Sequence, residues 1–85
     1  MRLDLSYFAW VRERMGVAAE TVELPPAIAD VAGLLGWLAA RDERGAAAFA
    51  EPHRIRAAID GVMMGPDAPL ARARDVALFP PVTGG

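Results

Sequence analysis

Val31, Leu34, Leu35 and Leu38 stand at i, i+3, i+4 and i+7, the apolar stripe of an amphipathic helix. In a chain of 85 residues that stripe constrains the fold more than anything else. Burying its four side chains is worth roughly 6–12 kcal/mol before entropy, so this helix is expected to be the main filler of the core. Asp30 precedes it as an N-cap, although Gly33 at the third helical position rules out a capping box. Gly33 and Gly36 each weaken the helix by about 1 kcal/mol relative to Ala. Trp37 flanks the stripe and is expected to seal the edge of the core.

The segments around this helix read as strands. From Arg2 to Phe8 the chain alternates, with Leu3, Leu5 and Tyr7 on one face and Arg2, Asp4 and Ser6 on the other. Trp10, Val11, Arg14 and Met15 then fall at helical spacing, closed by Gly16 as C-cap, with Arg12 and Arg14 on a solvated face. Ala19 to Leu24 alternates again, with Val22 and Leu24 inward, until Pro25-Pro26 stops it. Arg41 to Gly45 reads as a charged surface segment that ends the main helix, and Ala46 to Ala50 as one further helical turn. Arg54 to Ile59 is a strand with Ile55, Ala57 and Ile59 inward, joined by an Asp60-Gly61 hairpin turn to Val62-Met63-Met64. Met63 and Met64 are expected to fill core gaps or sit at an edge, and Leu70 to be a buried anchor. In the last strand Val76 and Leu78 share the inner face, while Phe79 shares the outer face with Asp75 and is expected to be an exposed aromatic. The order gives an α+β fold, a small mixed sheet packed against one main helix, as a single domain over residues 1–85.

Composition removes most kinds of chemistry. The sequence has no Lys, Cys, Asn or Gln, one Ser (Ser6), one His (His53) and one Tyr (Tyr7). Without Lys and Cys there is no Schiff-base or thiolate catalysis. A lone His is a poor start for a metal site, and no metal is expected. A net charge of −2 argues against nucleic acid, which needs a concentrated basic face. No apolar run approaches the ~20 residues of a membrane span, and Asp4 interrupts what would be the charged start of a signal peptide, so a cytoplasmic protein is expected.

The remaining candidate is the end of the sequence, Pro80-Pro81-Val82-Thr83-Gly84-Gly85. Two prolines bias the path toward an extended one, and two glycines pass a channel too narrow for a side chain. Six extended residues reach roughly 20 Å at about 3.3–3.6 Å each, enough to deliver a carboxylate into a partner's active site. If this chain takes part in chemistry, the reactive group is that carboxylate.

Several of these segments resemble a known family. Val76-Ala77-Leu78-Phe79-Pro80-Pro81-Val82-Thr83-Gly84-Gly85 resembles the C-terminus of the small subunit of molybdopterin synthase, a ubiquitin-like sulfur carrier. The opening Leu5-Ser6-Tyr7-Phe8-Ala9-Trp10-Val11-Arg12-Glu13-Arg14-Met15-Gly16 and the Ala57-to-Gly61 hairpin resemble it as well. Asp60 stands where the family usually has Asn, and Arg72-Ala73-Arg74 where it tends to have an acidic Gly turn. The resemblance implies a ubiquitin-like β-grasp with a flexible Gly-Gly tail over 79–85. It implies that an E1-like activating enzyme adenylates the Gly85 carboxylate with ATP, with Gly84 beside it, and that a sulfur donor converts it to a thiocarboxylate. Activation is needed because a terminal carboxylate with pKa about 3.3–3.7 is ionised at neutral pH and resists nucleophilic attack.

Phe79, Pro80, Pro81, Val82 and Thr83 would then enter the large subunit of molybdopterin synthase, where the sulfur goes to a cyclic pyranopterin phosphate to build the dithiolene. The chain would bind no cofactor itself and would not be catalytic alone. Two alternatives stay open at the level of sequence. The acceptor could belong to thiazole synthesis, tRNA thiolation or cysteine synthesis, or the chain could be a ubiquitin-like binding module whose tail is never activated.

Overall fold

The computed structural model describes residues 1–81. Strand β1 (Arg2–Tyr7) leads into helix α1 (Ala9–Met15), strand β2 (Ala19–Glu23) and helix α2 (Val31–Arg41). A second short helix α3 (Glu43–Ala48) and a 3-10 turn (Pro52–Arg54) follow, then strands β3 (Arg56–Ile59), β4 (Val62–Met64) and β5 (Asp75–Phe79). The strands form one sheet in the order β2-β1-β5-β3-β4. β1 and β5 run parallel at its centre, and the flanking pairs are antiparallel. This is the mixed sheet of the expected α+β fold.

Alternation decides which face is covered. Leu3, Leu5, Tyr7, Val22, Ala57, Val76 and Leu78 point to one side and join the helix stripe Val31, Leu34, Leu35 and Leu38 in a single buried cluster. Arg2, Asp4, Thr21, Glu23, Arg56 and Asp75 point to the other side and are exposed. Asp30 caps α2 as expected: its carboxylate accepts the Gly33 N–H at 2.7 Å, a contact worth about 1 kcal/mol. The segment before β5 is tied to the same helix end, with Leu70 N–H donating to the Ala29 carbonyl and Val31 N–H to that of Ala68. Leu70 is fully buried, as its role of anchor requires.

The hairpin turn forms at Asp60-Gly61 with φ of 48° and 85°, the paired positive values of a type I′ turn. Asp60 has a second task, one that the amide oxygen of Asn could also perform, though without the charge. Its Oδ1 accepts the N–H groups of both Arg74 and Asp75, which fixes the entry to β5 and holds the Asp60 carboxyl below the usual carboxylate range. The departure at Arg72-Ala73-Arg74 is accommodated by a turn closed from Ala73 N–H to the Leu70 carbonyl.

Three sequence expectations need correction. Arg41 to Gly45 is not a surface segment that merely ends a helix, because a new helix starts at Glu43 with Asp42 as its cap, accepting the Gly45 N–H at 2.7 Å. The third strand begins at Arg56, since Pro52 starts a 3-10 turn closed by Ile55 N–H on the Pro52 carbonyl. Phe79 is half-buried rather than exposed, because β5 is an inner strand with β1 on one flank and β3 on the other. Of the two places expected for Met63 and Met64 they take the edge, exposed on the outermost strand β4.

Candidate functional site

The sheet delivers Phe79, Pro80 and Pro81 to one end of the molecule. Phe79 pairs with Arg56 across the β5–β3 ladder, and on the other flank Phe8 N–H donates to the Leu78 carbonyl at 3.2 Å. Phe8 is about half exposed, and Phe79, Pro80 and Pro81 are each half-buried. The predicted site residues Val82, Thr83, Gly84 and Gly85 lie outside the described residues. Of the seven expected site residues, the structure therefore places the three that form the root of the tail.

An arginine–tryptophan group flanks this root and was not read as a unit from the sequence. The Arg14 guanidinium lies 4.3 Å from the Trp10 ring centroid, and that of Arg54 lies 5.6 Å from the same ring. Trp10 and Arg14 are at i, i+4 on α1, a spacing visible in the sequence; Arg54 comes from the 3-10 turn and joins them only in the fold. Arg56 is held nearby, its Nη1 donating to the carbonyls of His53 at 2.9 Å and Ile55 at 3.1 Å. Among the described residues no group of three or more His, Cys, Asp or Glu is placed to hold a metal ion. No helix in them is long and apolar enough to cross a membrane.

Two other features are less suited to chemistry. An open groove of about 530 Å³ runs between α2 and β4, lined by Val31, Leu35, Ile55, Ala57, Met64 and Pro66 among others. Its walls are mostly apolar, with His53 and Arg56 among the lining, and none of the three placed tail residues contributes to it. At the rim of the core the Tyr7 hydroxyl donates to Glu20 at 2.6 Å, and Arg41 grips the same carboxylate through two contacts of 2.9 Å. Burial first, then the neighbouring carboxylate, pushes the Tyr7 phenol up, so it remains protonated and donating. The Arg41 hydrogen bonds hold the Glu20 carboxyl below its ordinary value, with help from Tyr7.

That network has a consequence for acid stability. Glu20 titrates lower in the fold than in the unfolded chain, so its ionised form stabilises the fold. The contribution is complete above the ordinary value of 4.5 and is lost as pH falls through the lower folded value. Glu20→Gln is therefore expected to lower the thermal midpoint at neutral pH and to narrow its gap from the parent as pH falls below about 4. Parallel melting curves across that range check this; a gap that stays constant with pH would contradict it.

Comparison with known proteins places this geometry. The model of the ThiS family matches residues 5–85 of the sequence. The chain belongs to the ThiS family. It is also similar to the molybdopterin synthase sulfur carrier subunit of Escherichia coli (strain K12), with 38% identity over 83 residues that cover 98% of this chain and 99% of the relative. Among solved structures, SAMP1 from Haloferax volcanii matches with a TM-score of 0.72 and 22% identity over the whole of both chains, a likeness of fold. A Pyrococcus furiosus protein described as molybdopterin converting factor, subunit 1 matches with a TM-score of 0.72 and 26% identity, covering 96% of this chain and 99% of that one. The ubiquitin-like β-grasp expected from the resemblance is thus the fold of this ThiS-family chain.

Proposed function

We propose that this chain is the sulfur-carrier subunit of molybdopterin synthase. The observation that carries the reading is its 38% identity, over nearly the full length, with a sulfur carrier subunit of that enzyme, joined to a family match that runs through Gly85. The geometry supports it in one respect above all. The central strand β5 runs to Phe79 and is followed by Pro80-Pro81, so the root of the tail stands at the end of a strand paired on both flanks.

In this reading an E1-like partner adenylates the Gly85 carboxylate with ATP and releases pyrophosphate. Sulfide delivered by a donor then attacks the acyl carbon as the bond to AMP breaks, leaving a thiocarboxylate on Gly85 and free AMP, with Gly84 keeping the approach narrow. Phe79, Pro80, Pro81, Val82 and Thr83 pack in the large subunit and bring the sulfur to the cyclic pyranopterin phosphate. Two such deliveries complete the dithiolene. Holding the tail in a pocket makes each transfer effectively intramolecular, which favours it strongly over a bimolecular encounter. ATP is consumed by the partner, this chain binds no cofactor, and the work takes place in the cytoplasm.

The test is reconstitution: thiocarboxylated chain, large subunit and the pterin precursor together should yield the dithiolene product. A chain that accepts sulfur but delivers none to the pterin would move the assignment to another acceptor. Phe79 supplies a second check. Its truncation in Phe79→Ala is expected to weaken binding to the large subunit by about 2 kcal/mol, or about 30-fold in Kd, as for a central aromatic anchor. An unchanged Kd by calorimetry would remove Phe79 from the interface.

A further inference from the structure

The charges of this chain are not evenly spread. Residues 8–16 and 51–56, which flank the root of the tail on its two sides, carry Arg12, Arg14, Arg54 and Arg56 against only Glu13 and Glu51. A chain with net charge −2 therefore has a locally positive collar where Phe79 emerges, and the excess of acids lies elsewhere. Internal partners neutralise it only in part. Glu51 stands 3.9 Å from Arg54 and 3.8 Å from His53, and Arg14 donates to a backbone carbonyl, that of Ala47, at 3.3 Å. Arg12 is exposed and has no side-chain hydrogen bond or ion pair among the described residues. Two guanidiniums are nevertheless held over the single Trp10 ring, at 4.3 and 5.6 Å. Stacking fixes the plane of a guanidinium while leaving N–H groups at its edge, so the collar presents donors that have already lost much of their rotamer freedom.

We propose that this collar is a docking surface for a protein partner whose tail-receiving opening is rimmed by Asp and Glu side chains. The proposal rests on the reading that the tail is delivered into a partner, and it adds the chemistry of the partner's rim. Carboxylates match the guanidinium fork in geometry as well as in charge. Phe8 and Phe79 lie between the two halves of the collar and supply apolar contact there. The negative charge of the rest of the chain repels the same acidic partner from wrong faces, so the collar also orients the encounter.

The experiment measures association rates of the full chain with the cognate large subunit over a salt series. The variants are Arg14→Gln/Arg54→Gln, Arg14→Lys/Arg54→Lys and the single Arg12→Gln. The double Gln variant is expected to associate about tenfold more slowly at low salt, with a flatter dependence on salt, because rim charges act mainly on the association rate. The double Lys variant keeps the charge and should recover both the rate and the salt slope. Arg12→Gln, whose side chain supports no internal contact among the described residues, is expected to slow association about threefold, and it remains informative if the double Gln variant fails to fold. Equal rates and salt slopes in Arg12→Gln and the parent would overturn the proposal. So would a folded Lys variant as slow as the Gln one, which would mark the stacking as purely structural. Sulfur loading of the unaltered chain, read by mass, tests the carrier reading separately.

Discussion

Deleting Gly85 alone is expected to abolish sulfur loading and leave the fold untouched. One residue of extended chain spans about 3.3–3.6 Å, so the deletion withdraws the terminal carboxylate by about that distance. In-line attack on the nucleotide needs reacting atoms about 3–3.5 Å apart, and a misplacement of even 1 Å costs about 10²-fold. Adenylation should therefore fall by at least about 10²-fold at saturating partner, a loss that extra enzyme cannot restore. The buried cluster runs from Leu3 to Leu78, so none of its contacts is removed and the thermal midpoint should match that of the parent. Pyrophosphate release and melting curves on the two chains check both halves. Retained adenylation would show that the reacting carboxylate is not the one on Gly85.

The second large effect is expected inside the fold, at two glycines with opposite outcomes. A Cβ added to Gly45 would lie 1.8 Å from the Leu38 carbonyl oxygen and 2.7 Å from its carbon. Those are backbone atoms of α2, so no side chain can swing away and the two helices must separate. Gly45→Ala is expected to cost about 3 kcal/mol or more, which in a domain of this size lowers the thermal midpoint by about 12–24 °C. A Cβ at Gly36 meets nothing within 4 Å. Gly36→Ala should therefore raise stability by about 0.5–1 kcal/mol, the usual gain of Ala over Gly inside a helix. Chemical denaturation of both variants settles the contrast, and a tolerated Gly45→Ala would contradict the close packing of α2 on α3.

The same region shows why the sequence is only partly legible. The stripe of α2 can be read because four apolar residues repeat with the helix period, and all four are buried. The strands at both ends can be read because their alternation is strict. Helix α3 is different: its packing depends on a glycine that lets two backbones touch, and no periodicity announces that. Asp42 with Gly45 three residues on, followed by three alanines, is the available sign of a capped helix start. Phe49, buried with its ring centroid 6.4 Å from that of Tyr7, sits after that short helix and offers no period to read. Alternation puts Phe79 on the correct face, but its shielding depends on strand order, which alternation does not contain. The tail is the reverse case, since the types and order of its residues point to a function without help from the fold. Trp10, Arg14 and Arg54 lie between these extremes, with Trp10 and Arg14 visible at helical spacing and Arg54 supplied by the fold.

The central claim is that Gly85 carries sulfur, and intact-mass spectrometry tests it most directly. The chain is incubated with its activating enzyme, ATP and a sulfur donor, then weighed whole and after digestion. The expected result is a gain equal to one oxygen replaced by sulfur, confined to the fragment that ends in Gly85. An unchanged mass, with an activating enzyme shown to load another carrier, would contradict it.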